Sequence, residues 1–191
     1  MRYLVGFLLT LVLLVVAIIL IFHHGGNSGK VPQTQAPLTS YANDPTSAVR
    51  LTVDGPITAP QTHSQVRITV DDSNATFELV NGYNGEVVRT SQTPETSESY
   101  AVFLHALQHA GYTLGNTASD LKDERGYCPA GNRYIFEVTK GGDDIQRFWA
   151  TNCNGTPKSF RGNTNTVLDL FKAQVPNYNN LIGNANLGGV F

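Results

Sequence analysis

The chain has 191 residues, with 13 Lys plus Arg against 15 Asp plus Glu and a formal charge of −2. It has no basic run and no interleaving of basic with aromatic residues, so this balance excludes nucleic acid as the expected partner. The length, once a terminal apolar run and a polar stretch are set aside, suffices for one hydrophobic core but is short for two.

Tyr3 to Phe22 contains no charged, Asn, Gln or Pro side chain and is preceded only by Met1 and Arg2. At about 1.5 Å per residue a helix of this length spans roughly 30 Å, the hydrocarbon thickness of a bilayer. A cleaved secretory signal has a shorter apolar region closed by a small-x-small site. The best such site here, Gly26-Asn27-Ser28, lies beyond the end of the run. Gly6-Phe7 resembles the cleavage dipeptide of type IV prepilins, but Leu11 stands where those leaders carry Glu. An uncleaved signal anchor over 1–24 is therefore expected. Arg2 precedes the run and no Lys or Arg follows it before Lys30, so the amino terminus is expected in the cytoplasm and the bulk of the chain outside the cell membrane. His23 and His24 abut the run without a third ligand nearby and read as a polar flank.

Residues 25–45 are rich in Gly, Ser, Thr, Gln and Pro, a composition that buries too little surface to offset chain ordering, and read as a flexible tether. A single extracytoplasmic domain is expected over 46–178, with a frayed Asn- and Gly-rich tail over 179–191. Its first half reads as strands. Val49 to Val53 ends at Asp54-Gly55-Pro56; Gln65 to Val70 and Thr76 to Leu79 alternate apolar with polar residues around the turn Asp71-Asp72-Ser73-Asn74. A fourth strand, Glu86 to Thr90, follows the turn Asn81-Gly82-Tyr83-Asn84-Gly85. The period then changes. Thr93-Pro94-Glu95 suggests a helix start and Gly111 its stop, with Tyr100, Phe103, Ala106, Leu107 and Ala110 on one stripe. Arg133 to Val138 and Ile145 to Thr151 predict a hairpin across Lys140-Gly141-Gly142-Asp143, and Thr164 to Val175 a second helix. The expected fold class is α+β: an antiparallel sheet of about six strands packed with two helices, behind an N-terminal transmembrane helix and a tether.

A tight turn centred between Gly141 and Gly142 sets the sum of paired residue numbers at 283, and the two cysteines, Cys128 and Cys153, sum to 281. They fall opposite or diagonal just beyond the open end of the hairpin, within reach of a disulfide. Closing a loop of about 25 residues contributes on the order of 3 to 4 kcal/mol in the chain-entropy account. The sequons Asn74-Ala75-Thr76 and Asn154-Gly155-Thr156 are short enough to arise by chance.

The strings DERGYCPAGNRYIFEV (Asp123 to Val138), RFWATNC (Arg147 to Cys153) and LFKAQVPNY (Leu170 to Tyr178), in this order behind an anchor and tether, resemble uncharacterised single-pass exported proteins of Saccharibacteria-type (Patescibacteria) bacteria. The resemblance runs from about Val49 to Tyr178 and implies an outward-facing α+β domain on a bacterial envelope. It transfers no catalytic residue, because no activity is assigned to that group.

Chemistry-bearing patterns are sparse. His105 and His109 have the i, i+4 spacing of a shared metal site but lack the accompanying Glu and fall off the apolar stripe, so a solvated helix face is expected and no metal or cofactor. No Ser occupies a GxSxG elbow, and His63 is the remaining histidine of the domain. Asp71-Asp72 and Asp143-Asp144 sit in turns, where Asp is favoured for backbone reasons. Trp149 and Tyr134 read as core unless the hairpin turns that face outward. The one charge cluster on a loop the disulfide would stiffen is Asp123-Glu124-Arg125, and with Arg133 and Arg147 it forms the candidate binding patch. A non-enzymatic binding module of the cell envelope is the leading expectation, its partner an envelope or cell-surface protein or glycan. An envelope glycan or cell-wall hydrolase is the alternative.

Overall fold

The structure, a computed structural model, describes residues 36–187. The apolar run Tyr3 to Phe22 and the last four residues lie outside the described residues; none of the described helices is long and apolar enough to cross a membrane. Six strands, β1 (Ser47–Asp54), β2 (Ser64–Val70), β3 (Asn74–Asn81), β4 (Glu86–Pro94), β5 (Arg133–Lys140) and β6 (Asp143–Thr151), form one antiparallel sheet in the order β4-β3-β2-β1-β5-β6. The chain meanders outward from β1 to β4. It then crosses through a helix and returns to the other side of β1, where β5 pairs along its whole length from Ser47↔Lys140 to Asp54↔Arg133.

The period of two in the strands sorts side chains onto two faces. Val49, Leu51 and Val53 of β1, Val66, Ile68 and Val70 of β2, Phe77 of β3 and Phe136 of β5 are buried on one face. Three helices cover it: α1 (Ser97–His109), α2 (Thr164–Ala173) and the short α3 (Tyr178–Ile182). Helix α1 contributes Tyr100, Phe103, Leu104 and Leu107, and α2 contributes Val167, Leu168 and Phe171. Phe103 meets Phe171 edge-on at 5.2 Å between ring centroids, and Tyr178 of α3 meets Phe77 edge-on at 5.9 Å.

Several expectations are corrected. Thr93 and Pro94 end β4 rather than starting a helix; Thr96 is the N-cap of α1, in a capping box with Ser99, because its hydroxyl and that of Ser99 each accept the other's backbone N–H. Gly111, with φ +78°, ends that helix as anticipated. The folded unit also exceeds 46–178 at both ends. Within the expected tether, Leu38–Tyr41 forms a 3-10 turn whose Leu38 is fully buried against the core, and Ser47 ties the segment down by donating to the Tyr41 and Asp44 carbonyls. Within the expected tail, α3 packs on the sheet and Leu187 is buried. One inserted leucine is enough to dock a segment whose average composition is that of a linker.

The β5–β6 turn is the expected one, with Gly141 and Gly142 at φ +61° and +90°. Lys140↔Asp143 and Thr139↔Asp144 keep the predicted sum of 283, but a bulge between Val138 and Thr139 shifts the remaining pairs by one, to Arg133↔Thr151. The Cys128–Cys153 disulfide is formed, with Cα atoms 5.7 Å apart. Gly131 is required beside it, since a Cβ there would collide with Asn152 Oδ1 and Cys128 Sγ.

The two margins of the sheet differ. At β6 the Phe160 N–H donates to the Trp149 carbonyl and the Trp149 N–H to Ser159 Oγ, while Gly115 bridges to Phe160. At β4 no such cover exists among the described residues. Its residues are mostly exposed, and a bulge interrupts its pairing at Val88.

Candidate functional site

The sheet face opposite the helices is polar at its centre because out-facing positions of five adjacent strands are charged. Arg147 of β6, Glu137 of β5 and Arg50 of β1 lie directly across from one another in the register, as do Arg67 of β2 and Glu78 of β3. Glu137 is 7% exposed and both its oxygens are committed: Oε2 accepts from Arg50 Nε at 2.7 Å and Oε1 faces Arg147 Nε at 3.4 Å. Arg50 reaches Asp144 Oδ1 at 2.8 Å, Arg147 reaches Glu124 Oε2 at 2.6 Å, and Arg67 reaches Glu78 Oε2 at 3.2 Å. Burial works against the Arg50 charge, yet the Glu137 and Asp144 carboxylates outweigh it and raise its pKa. Arg50, Thr52, Gln65, Arg67, Glu137 and Arg147 line a shallow depression of about 340 Å³.

A loop over 116–132 walls this depression on the β6 side. Trp149 is fully buried on the polar face, its indole N–H donating to the Leu121 carbonyl at 2.7 Å and its ring stacked on Tyr127 at 4.9 Å. With Leu121 and Ile135 it makes a second, small apolar cluster. The disulfide closes the end of that loop against the turn following β6.

The five residues expected to form one patch are separated into three groups. Glu124 and Arg147 pair with each other in the charged face. Asp123 and Arg125 pair together at the surface, where Asp123 Oδ1 also accepts the Arg125 N–H at 2.8 Å; the Arg125 guanidinium holds the Asp123 carboxyl below the usual range. Arg133 is buried, donating to the Gly55 carbonyl at 2.7 Å and pairing with Asp54. Trp149 and Tyr134 are core, as read from the sequence. Asp71 serves its turn by accepting from the N–H groups of Ser73 and Asn74, each at 2.8 Å. His105 and His109 stand exposed on α1 with rings 4.6 Å apart, and among the described residues no group of three or more His, Cys, Asp or Glu side chains is placed to hold a metal.

Sequence reading missed a chain of contacts at the end of the sheet where β1 leaves and β2 begins. Asp54, paired with Arg133, also faces His63 Nε2 at 3.0 Å, and His63 Nδ1 lies 3.0 Å from the Pro56 carbonyl. A carbonyl only accepts, so Nδ1 carries a proton. His63, 2% exposed, stacks on Tyr83 at 4.1 Å and 15°. The Tyr83 hydroxyl donates to the Thr58 carbonyl at 2.8 Å and accepts its N–H at 3.1 Å. Tyr83 itself is 54% exposed. The available signal was an aromatic residue in a turn of Asn and Gly, where no core periodicity calls for one.

A scan against known protein families matches none, and a search of curated proteins returns no match.

Proposed function

We propose that this chain is a membrane-anchored, extracytoplasmic binding module of a bacterial envelope, held by the apolar run Tyr3 to Phe22. In this reading it presents the charged face of its sheet to another envelope component or a neighbouring cell surface. The observation that carries the reading is the state of that face. Among the described residues no α-helix covers its centre, and its interleaved Arg50, Arg67, Arg147, Glu78 and Glu137 are fixed by cross-strand pairs and flanked by a loop closed by a disulfide. Side chains already held in place lose little freedom on binding, and opposite charges in fixed alternation favour a partner of matching pattern. The carboxylates and guanidinia are committed to one another rather than turned toward a reacting group, and His63, stacked on Tyr83, is apart from the His105–His109 pair on α1. The resemblance to exported single-pass proteins supports the location.

Two measurements test this. Protease added to intact cells digests the domain in the proposed topology; protection until lysis sinks the placement. The purified full-length chain is retained by isolated envelope fractions, and Arg50→Ala with Arg147→Ala lowers that retention roughly tenfold while the fold persists. Undiminished retention by the double variant removes the charged face from the account.

A further inference from the structure

We infer that the groove beside Tyr83 is a glycan-binding site, taking a neutral pyranose that stacks its C–H face on the tyrosine ring. The inference rests on the binding-module reading and adds to it a site distinct from the charged sheet face.

The argument starts from how the ring is held. An exposed tyrosine ordinarily samples several rotamers. Here the hydroxyl is fixed by two hydrogen bonds to Thr58, and one ring face is covered by His63. His63 is in turn clamped between the Pro56 carbonyl and Asp54, and Asp54 is paired with the buried Arg133. A chain of polar contacts that starts at the buried Arg133 thus ends in one half-exposed aromatic ring, held with one face covered by His63. The ring borders an open groove of about 690 Å³, within the range of roughly 300–1,000 Å³ typical of small-ligand sites. Pro60, Gln61, Asn81, Asn84 and Glu86 line the rest.

The lining selects the ligand. Three carboxamides and one carboxylate offer paired donors and acceptors, which match vicinal hydroxyls, while the ring offers a flat, electron-rich surface for a sugar's axial C–H bonds. The groove's single charge is the Glu86 carboxylate, so a phosphate or uronate meets repulsion. A proline-rich peptide is the other ligand that docks on aromatic rings, but such grooves align several aromatics and this one has a single ring.

The test titrates the full-length chain, in a detergent without a sugar headgroup, with cellotetraose and chitotetraose, and in a separate arm with a proline-rich peptide, followed by ligand-observed NMR and calorimetry. We expect one or both tetrasaccharides to bind, Tyr83→Ala to weaken that binding at least about tenfold, and Asn84→Ala, at an exposed turn position, to weaken it less. Both variants keep the Trp149 emission of the parent, which shows that they fold. No tetrasaccharide binding by the parent, undiminished binding by Tyr83→Ala, or binding of the peptide alone overturns the inference. If envelope retention persists and depends on Arg50 and Arg147 while sugars fail to bind, this site fails and the module reading stands; loss of retention with Tyr83-dependent sugar binding intact gives the reverse.

Discussion

The two faces of the sheet are made by the same strands in alternate positions and serve opposite ends. The face beneath α1, α2 and α3 is closed, with Leu51, Ile68, Phe77 and Phe136 at 1% exposure or less. The other is only partly covered: a small cluster around Trp149 at one side, ion pairs at the centre, and the Tyr83 groove at one end. Burial of apolar area is additive and nondirectional, whereas ion pairs near water offset most of their attraction by desolvation and ordering. Stability therefore resides on the closed face, and in the proposed reading the other is left for recognition.

The comparison is broken most directly by Phe136→Ala, which leaves a hole between Phe160, 4.2 Å away by ring centroids, and Tyr112, 6.0 Å away. We expect a loss of about 3–5 kcal/mol in urea unfolding. Removing the disulfide with Cys128→Ala and Cys153→Ala should cost about 3 kcal/mol. It should also red-shift the Trp149 emission, because the loop carrying Leu121 and Tyr127 loses its covalent end. Next comes Glu137→Gln, which keeps the shape but deprives Arg50 and Arg147 of their shared carboxylate; about 1–3 kcal/mol is expected. Replacing Arg67 and Glu78 together by Ala should cost less than about 1 kcal/mol, since both are partly exposed. If that double variant destabilises as much as Phe136→Ala, the division between the faces is wrong.

The smallest effect sharpens the same point through pH. Asp44 accepts from Lys140 Nζ at 2.7 Å and from the Thr46 N–H at 3.0 Å. Lys140 and then Thr46 hold its carboxyl down from 3.8 to about 2. A depressed folded-state pKa contributes stability above the unfolded value and loses it as pH falls through the folded one. Asp44→Asn should thus be slightly less stable than the parent near neutrality, and the two should converge as the pH drops from 3.8 toward about 2. A gap that persists in thermal melts below that window assigns the effect to the turn alone.

Local chemistry was legible and long-range pairing was not. The alternation in Gln65 to Val70 announced β2, and Gly141-Gly142 announced the hairpin closely enough to pair two cysteines across its open end. Docking of Leu38 was hidden because a lone leucine among polar residues carries no period. The candidate patch is divided for a related reason. Arg133, adjacent in sequence to the cysteine loop, belongs to Asp54 through the β1–β5 register, a pairing that nothing within either strand reveals. Arg50 and Glu137 are likewise ordinary out-facing residues until the sheet order sets them opposite each other.

The unequal margins of the sheet limit how copies of this domain can join. One rim is already occupied at Trp149 by the Phe160 segment, whereas the β4 rim is bare. Among the described residues, edge-to-edge zippering through β4 therefore consumes the bare rim at the first encounter, so crowding favours a terminated pair over open-ended fibril growth.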